Sequence, residues 1–574
     1  MTNQLIKNQL MRNHCQQINF FGLLLFLVFG YLAGLLLWGI ISQADLAIFI
    51  SENQRTLHGW LLPVLLAIST VAAAGIYIGN WWVGKLPLPL ADRRLLGYLI
   101  ILLLVGIFWP SLKFISPIFP ATKNPIEIFV FSLALAVFLA RFLISENFHL
   151  WAKRISSRSI YILIVLSAII YSFLTITLYN HFQMPGLDFG LANQVIWHYS
   201  HWQIPTASSL KHLANMWGDH FNPILLLAAP LYWLWSDPKI LLIFDALIVC
   251  AGSWMVFRWS QEELKNSLVS LVLAFGYLMF IGVQLALVFP FRGDTLATTF
   301  LIFAIWFLWK KRWFWYFLMV ILILMSKESF GLYILFLGIF AIVWRREKLV
   351  GSITAVLGAV WFAVMVGWLV PHFRHHSYHI FTYLQLGNSF PEVIKTILLN
   401  PFYAIKIFFS PAIKINTMLT LFGAAGFLIF AAPVFLILAI PMLAERFLSA
   451  DPSFWFLLYH YSITLSPVIF VGAIFGIKKL VERYGDRVPE VLPIISGLIF
   501  FSSLLISIAW RTPLLNYAKA SFWRPEERVA TLNKAIKKFL VARQFPLKIR
   551  LCLIFPNETK FIFFPRFLMP NIFY

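Results

Sequence analysis

Apolar runs recur along this chain from residue 19 to residue 509. Most are roughly 16 to 24 residues long, the length a helix needs to cross the ~30 Å hydrocarbon core of a bilayer. Backbone N–H and C=O groups cannot sit unpaired in that core, so the choice lies between helices and a closed barrel. Barrel strands are shorter and alternate apolar with polar residues, a pattern these runs lack. Composition agrees: 61% of the 574 residues are hydrophobic and 12% charged, about half the charged share of a soluble chain. The expected fold class is all-α, a polytopic transmembrane helical protein with large extracytoplasmic loops.

Spans are predicted at 19–41, 59–82, 94–110, 126–144, 159–179, 239–258, 267–288, 294–309, 313–325, 330–344, 349–370, 416–430, 432–444, 462–479 and 489–509. The first is longer than a signal-peptide core and lacks a small-residue cleavage site, so it reads as a retained span. With the N-terminus cytoplasmic, the loops GKLPLPLADRR, WAKRISSR, WKKRW, WRREK and KKLVERYGDR all fall inside. They help place about 21 Lys and Arg among about 70 inner-loop residues, against about 12 among about 160 outside, as the positive-inside rule expects. The net charge of +22 is thereby explained by topology, with no need of nucleic acid.

This layout requires that FNPILLLAAPLYWLW, residues 221 to 235, does not cross completely. It reads as re-entrant or as lying in the outer interface, where Tyr and Trp are favoured. The protein is then expected in the plasma membrane, multi-pass, with its C-terminus extracytoplasmic.

Three regions follow. Residues 1–150 carry extra N-terminal helices of no assigned role, and 151–510 form the main multi-span domain, with outer loops 180–238 and 371–415. Residues 511–574 form an extracytoplasmic tail. In that tail Pro525, Glu526 and Glu527, followed by Lys534, Lys537 and Lys538, read as an amphipathic helix charged to suit its dipole. Cys15, Cys250 and Cys552 offer neither a disulfide pair nor metal spacing.

Long outer loops are where chemistry tends to reside. GLDFGLANQVIWHYSHW, residues 186 to 202, places Asp188 just past a span, where a carboxylate can act as general base or bind a metal or a sugar hydroxyl. The plainer reading is a solvated or helix-capping Asp. Gln194 and Trp197 from the same stretch are candidate substrate contacts. His212, Asp219 and His220 follow in the loop, and Asp188, His212 and His220 are candidate ligands for a divalent metal, against the commoner role of hydrogen-bonding loop histidines.

VFPFRGDTLATTF sets Arg292 and Asp294 in a short outer turn, suited to phosphate recognition or to capping and lipid headgroups. LMSKESFGL leaves Lys327 and Glu328 at the outer boundary, as phosphate ligands or as an interfacial anchor. Asp245 lies within a span, where an acid is costly unless it is functional or bonded to a neighbouring helix. PHFRHHSYH gathers His372, His375, His376 and His379 with no carboxylate nearby in sequence, and reads as an interfacial His/Tyr belt.

LDFGLANQVIW, followed by HFNPILLLAAPLYWLWSDPKILLIFDAL, resembles the uncharacterised membrane proteins grouped as domain of unknown function 2079. YLQLGNSFPEVIKTILLNP and ERFLSADPSFWFLLYHY look like the same family, and the resemblance covers roughly 160–540. That family in turn resembles the glycosyltransferase C (GT-C) superfamily of multi-span enzymes, which take sugar from a polyprenyl-phosphate carrier on the outer side. The resemblance implies Asp188 as base or metal ligand, with Arg292 or Lys327 on the carrier phosphate; His220, Asp294 and Glu328 are further candidate substrate contacts. Two features depart from the family: Asn193 stands where a second acid is usual, and the sequence after LNKAIKKFL differs from the family's soluble outer domain.

The expected function is thus a membrane glycosyltransferase using a polyprenyl-phosphate-linked sugar, with membrane lipids as its other partners. A lipid or solute transporter or flippase, or a non-catalytic scaffold, are the alternatives. No Gly-rich phosphate loop is present in the sequence.

Overall fold

Every regular element among the described residues is helical, as a backbone in a water-free medium demands. The computed structural model describes residues 125–143, 155–485 apart from 208, 209, 211, 212 and 214, and 488–542 apart from 525. The spans expected at 19–41, 59–82 and 94–110 lie outside these residues, as does His212.

The helices are α1 (Pro125–Leu143), α2 (Ser159–Asn180), α3 (Gly186–Ser200), α4 (Lys239–Leu264), α5 (Ser267–Met279), α6 (Ile281–Val288), α7 (Gly293–Trp309), α8 (Trp313–Leu324) and α9 (Phe330–Arg345). They continue with α10 (Lys348–Val364), α11 (Phe390–Leu399), α12 (Pro401–Phe409), α13 (Ile413–Gly423), α14 (Leu436–Phe447), α15 (Ser466–Tyr484), α16 (Val488–Ala509) and α17 (Glu527–Ala542). Among the described residues, five stretches are long and apolar enough to cross a membrane: α2, α4, α10 extended to Arg374, α15 together with the turn from His460, and most of α16. Two bent pairs, α5 with α6 and α12 with α13, raise the number to seven. Helices α7, α8 and α9 have 17, 12 and 16 residues. At 1.5 Å per residue all three are shorter than a ~30 Å core.

Where the pattern of apolar residues and the fold disagree, local backbone chemistry is the reason. The run at 267–288 bends by 43° around Phe280, whose ψ of 130 is extended rather than helical. The two spans expected at 416–430 and 432–444 do not form as such. Helix α13 stops at Gly423, left-handed Gly426 and Phe427 (φ 62 and 57) break the helical path, and 3-10 turns at Leu428–Ala431 and Pro433–Phe435 lead into α14. Residues 221–235 form no crossing helix; they fold as a 3-10 segment, Pro223–Ala228, and a single turn, Leu231–Leu234. Loop 180–238 contains α3, loop 371–415 contains α11 and α12, and the tail's expected amphipathic helix is α17, with Glu527 in its first turn.

Helix α4 packs against α2, α5, α7 and α15. Its buried Trp259 meets the ring of Phe475 edge to face at 5.5 Å. The closest helix pair is α9 with α10, which run antiparallel. A Cβ added to Gly338 would fall 2.5 Å from the Gly351 carbonyl oxygen, and one on Gly358 would fall 2.5 Å from that of Gly331. Small residues that let backbones touch are the usual glue of helices in lipid, which offers them no hydrophobic reward for associating.

Gly338→Val is therefore expected to force the pair apart and destabilise the protein by about 1–3 kcal/mol, read as a lower melting temperature in detergent. Gly367→Ala is the control, because a Cβ there meets nothing within 4 Å. Equal melting temperatures for the two variants would contradict the close contact.

Candidate functional site

The polar centre of the molecule begins with a residue that has no side chain. Gly293 stands between Arg292 and Asp294, and a Cβ on it would lie 2.5 Å from the carbonyl oxygen of Ser326. The start of α7 is thus seated against the turn that carries Lys327 and Glu328. The turn leading into α7 is held equally firmly. Phe291 is left-handed at φ 59, an uncommon state for an aromatic residue. Its N–H donates to Oδ2 of buried Asp245 at 3.2 Å. Asp245 therefore serves structure here: it fixes the turn that presents Arg292.

Arg292 spans two carboxylates from different elements. Its Nη1 donates to Oδ1 of Asp188, in the first turn of α3, at 2.6 Å, and its Nε lies 3.8 Å from Oδ2 of Asp294. Burial pulls the guanidinium's pKa down, but Asp188 and Asp294 push it up by more, so the net shift is upward. Asp188 retains a 34% exposed side chain, so one face of this pair stays open to an incoming group. His460 Nε2 sits 3.4 Å from the same Asp294 oxygen.

On the other side of Gly293, Glu328 is wholly buried and collects three donors. His220 Nδ1 and the Tyr378 hydroxyl each lie 2.9 Å from its Oε1, and the Phe221 N–H points at Oε2 from 3.4 Å. Burial would raise this carboxyl, yet His220 and Lys327 hold it down to about 2. The ammonium of Lys327 lies 5.9 Å from the centre of the Tyr461 ring. Burial lowers the Lys327 pKa, and Asp294, Glu445 and Glu328 more than reverse that, leaving it raised. Asp294, Lys327, Ser329, Tyr333, Glu445 and Tyr461 face one small recess, and Arg446 and Thr464 complete its wall.

The segment that carries Asp188 is tied to itself and to this centre. Ile224 N–H donates to Met325 O at 3.0 Å, just before Lys327. Trp233 Nε1 donates to Ser200 O at 2.8 Å, and Trp217 Nε1 to the Tyr199 hydroxyl at 2.9 Å. Asn193, at the position of the missing second acid, is buried and accepts the Tyr232 hydroxyl.

Of the residues predicted from sequence, Asp188, Arg292 and Asp294 are joined by ion pairs, His220 is joined to Glu328, and Asp294 and Lys327 line one recess. Gln194 and Trp197 do not line the recess, and neither do Asp188, His220, Arg292 and Glu328. Gln194 is buried within α3, and Trp197 packs its ring against His201 at 4.0 Å and Tyr232 at 5.9 Å. The proposed metal ligands also part company: Asp188 faces Arg292 while His220 faces Glu328. Among the described residues no group of three His, Cys, Asp or Glu is placed to hold an ion. The histidines at 372–379 do have a carboxylate nearby, since His379 Nε2 lies 3.1 Å from Asp219 Oδ1 across 160 residues of sequence.

Sequence reasoning missed Tyr333, Tyr378, Glu445, Arg446 and Tyr461. The one available signal was the adjoining charges of Glu445 and Arg446 at the end of an apolar run. Tyr333 donates its hydroxyl to the Glu445 carboxylate, joining α9 to α14.

A family model described as a predicted membrane protein, DUF2079, matches residues 178–542. The chain belongs to this family. All of the clustered residues, from Asp188 to Tyr461, fall within the part that DUF2079 covers. No curated protein matches the chain.

The Glu328 pair has a testable pH signature. A carboxyl held near 2, against an ordinary 4.5, stabilises the fold fully above pH 4.5 and loses that contribution as the pH falls toward 2. The melting-temperature gap between the wild-type protein and Glu328→Gln is expected to shrink over this window. A gap that stays constant from pH 7 down to pH 3 contradicts the assignment.

Proposed function

We propose that the protein is a membrane glycosyltransferase that moves sugar from a polyprenyl-phosphate carrier to an acceptor on the extracytoplasmic side of the plasma membrane. The observation that carries this reading is the chain of contacts from half-exposed Asp188 through Arg292 and Asp294 to the recess containing Lys327. Such a site joins a carboxylate open to an acceptor with a cation suited to a phosphate, as a GT-C-like reaction requires.

In this mechanism Asp188 takes the proton of the acceptor hydroxyl as its oxygen attacks the anomeric carbon. The bond from that carbon to the carrier phosphate breaks, and its electron pair leaves on the phosphate oxygen. Lys327 stabilises that departing charge, in a setting where fixed charges act more strongly than in water. Arg292 is engaged by two carboxylates, so it suits holding Asp188 in place better than meeting the leaving group.

The competing reading is a transporter or flippase, favoured by the number of charged groups buried within the helical part. Membranes containing the full chain, supplied with radiolabelled polyprenyl-phosphate sugar, separate the two. Transfer of label to an acceptor is expected with the wild-type protein, with a fall of about 10²-fold or more in Asp188→Asn, the range for loss of a general base. Equal transfer by both proteins, or lipid movement across the bilayer without transfer, overturns the enzyme reading. So does cysteine labelling that finds the 180–238 segment on the cytoplasmic side.

A further inference from the structure

Helices α11 and α12 each carry two apolar faces. One is packed: Val393 and Ile397 of α11 and Ala404 and Ile407 of α12 meet Leu386 and Phe381 in a small core of their own, separate from the main one. The other is open. Ile394 and Leu398 lie one turn apart on α11, and Phe402, Ile405 and Phe409 follow the i, i+3, i+7 spacing of a single stripe on α12. All five are exposed, Leu398 by 74% and Phe402 by 83%. A contiguous apolar surface of this kind marks contact with a membrane or with another protein.

Length, bend and charge favour the membrane. The helices have 10 and 9 residues, about 15 Å each and about half the hydrocarbon thickness, so neither crosses. Helix α12 bends by 73° into α13, which packs on α1 and on the crossing helix α16. A helix turned that far from a segment inside the bundle runs close to the plane of the bilayer. Lys395 and Lys406 flank the stripes, where their stems can lie along apolar surface while the ammonium groups reach phosphate headgroups. Glu392, the one acid in the two helices, is engaged at the start of α11: its Oε2 accepts the Asn388 N–H at 2.7 Å, and Ser389 Oγ accepts the Glu392 N–H at 3.4 Å. The exposed charges that remain are both positive.

The pair is fixed at this attitude. Buried Lys414, in the first turn of α13, donates to Ile407 O at 2.8 Å and to Phe447 O at 2.6 Å, tying α12 to the end of α14. The Tyr403 hydroxyl donates to Gln385 O at 3.2 Å, and Gln385 Nε2 donates to Leu448 O at 3.1 Å.

We propose that α11 and α12 form an in-plane hairpin bound to one leaflet, with Ile394, Leu398, Phe402, Ile405 and Phe409 dipped into hydrocarbon and Lys395 and Lys406 on the lipid phosphates. Residues 371–415 then contain a membrane-bound element rather than a loop in water, whatever reaction the protein performs.

The test uses the full chain with Cys15→Ala, Cys250→Ala and Cys552→Ala, carrying one new cysteine labelled with an environment-sensitive fluorophore, in nanodiscs of phosphatidylethanolamine and phosphatidylglycerol. Labels at Leu398→Cys and Phe402→Cys are expected to emit to the blue of a label at Lys395→Cys. They are also expected to lose their emission to lipids bearing a nitroxide on the acyl chain and to resist aqueous iodide, which quenches the Lys395→Cys label. Ile405→Cys, on the same stripe, replaces either site if that variant melts below the parent. Quenching of the stripe labels by iodide to the same extent as at Lys395→Cys overturns the proposal. Protection from both quenchers means that protein, whether a second copy or a partner, covers the stripe, and overturns it as well.

Discussion

The approach of Gly293 to Ser326 sets Arg292 and Asp294 against the turn that carries Lys327 and Glu328. With any larger residue at 293, the start of α7 would be pushed off the turn between α8 and α9, and Arg292 and Asp294 would lose their position beside Lys327 and Glu328. Asp245 reinforces the geometry from behind by holding Phe291 in its left-handed state. One missing side chain and one buried carboxylate thus determine where the polar chemistry sits.

Burial then dictates how the charges are organised. Removing an ion from water costs several kcal/mol even after relaxation, so groups at this depth persist as paired sets. Arg292 is shared by Asp188 and Asp294, Glu328 is met by His220 and Tyr378, and Glu445 is met by Tyr333. The segment between α2 and α4 supplies one member of the first set and one of the second. Trp217 and Trp233 pin parts of it through hydrogen bonds to Tyr199 and Ser200.

Much of this was legible in the sequence, for identifiable reasons. Long apolar runs fix α2, α4, α15 and α16 because hydrocarbon thickness sets a minimum length. Acids and bases left at the edges of such runs pointed to Asp188, Arg292, Lys327 and Glu328, since a charge there needs a partner. The breaks at Phe280 and Gly426 were missed because hydropathy registers side chains and is blind to φ and ψ. Gln194 and Trp197 stand off the recess because both sit on α3, Gln194 buried and Trp197 packed on His201 and Tyr232. Glu445, Tyr333 and Arg446 stayed hidden since their meaning arises only when α9 and α14 come together.

The ionic partners are far apart along the chain. Asp188 and Arg292 are separated by 104 residues, His220 and Glu328 by 108, and Tyr333 and Glu445 by 112. Helices reach the bilayer in the order of synthesis, so each early member waits for its partner while between two and four further predicted spans emerge from the ribosome. During that interval a nascent protein carries uncompensated polar groups, a state that favours retention by the insertion machinery or removal by proteases. Biogenesis is thereby coupled to completeness: only a chain assembled through Glu445 can neutralise all three pairs.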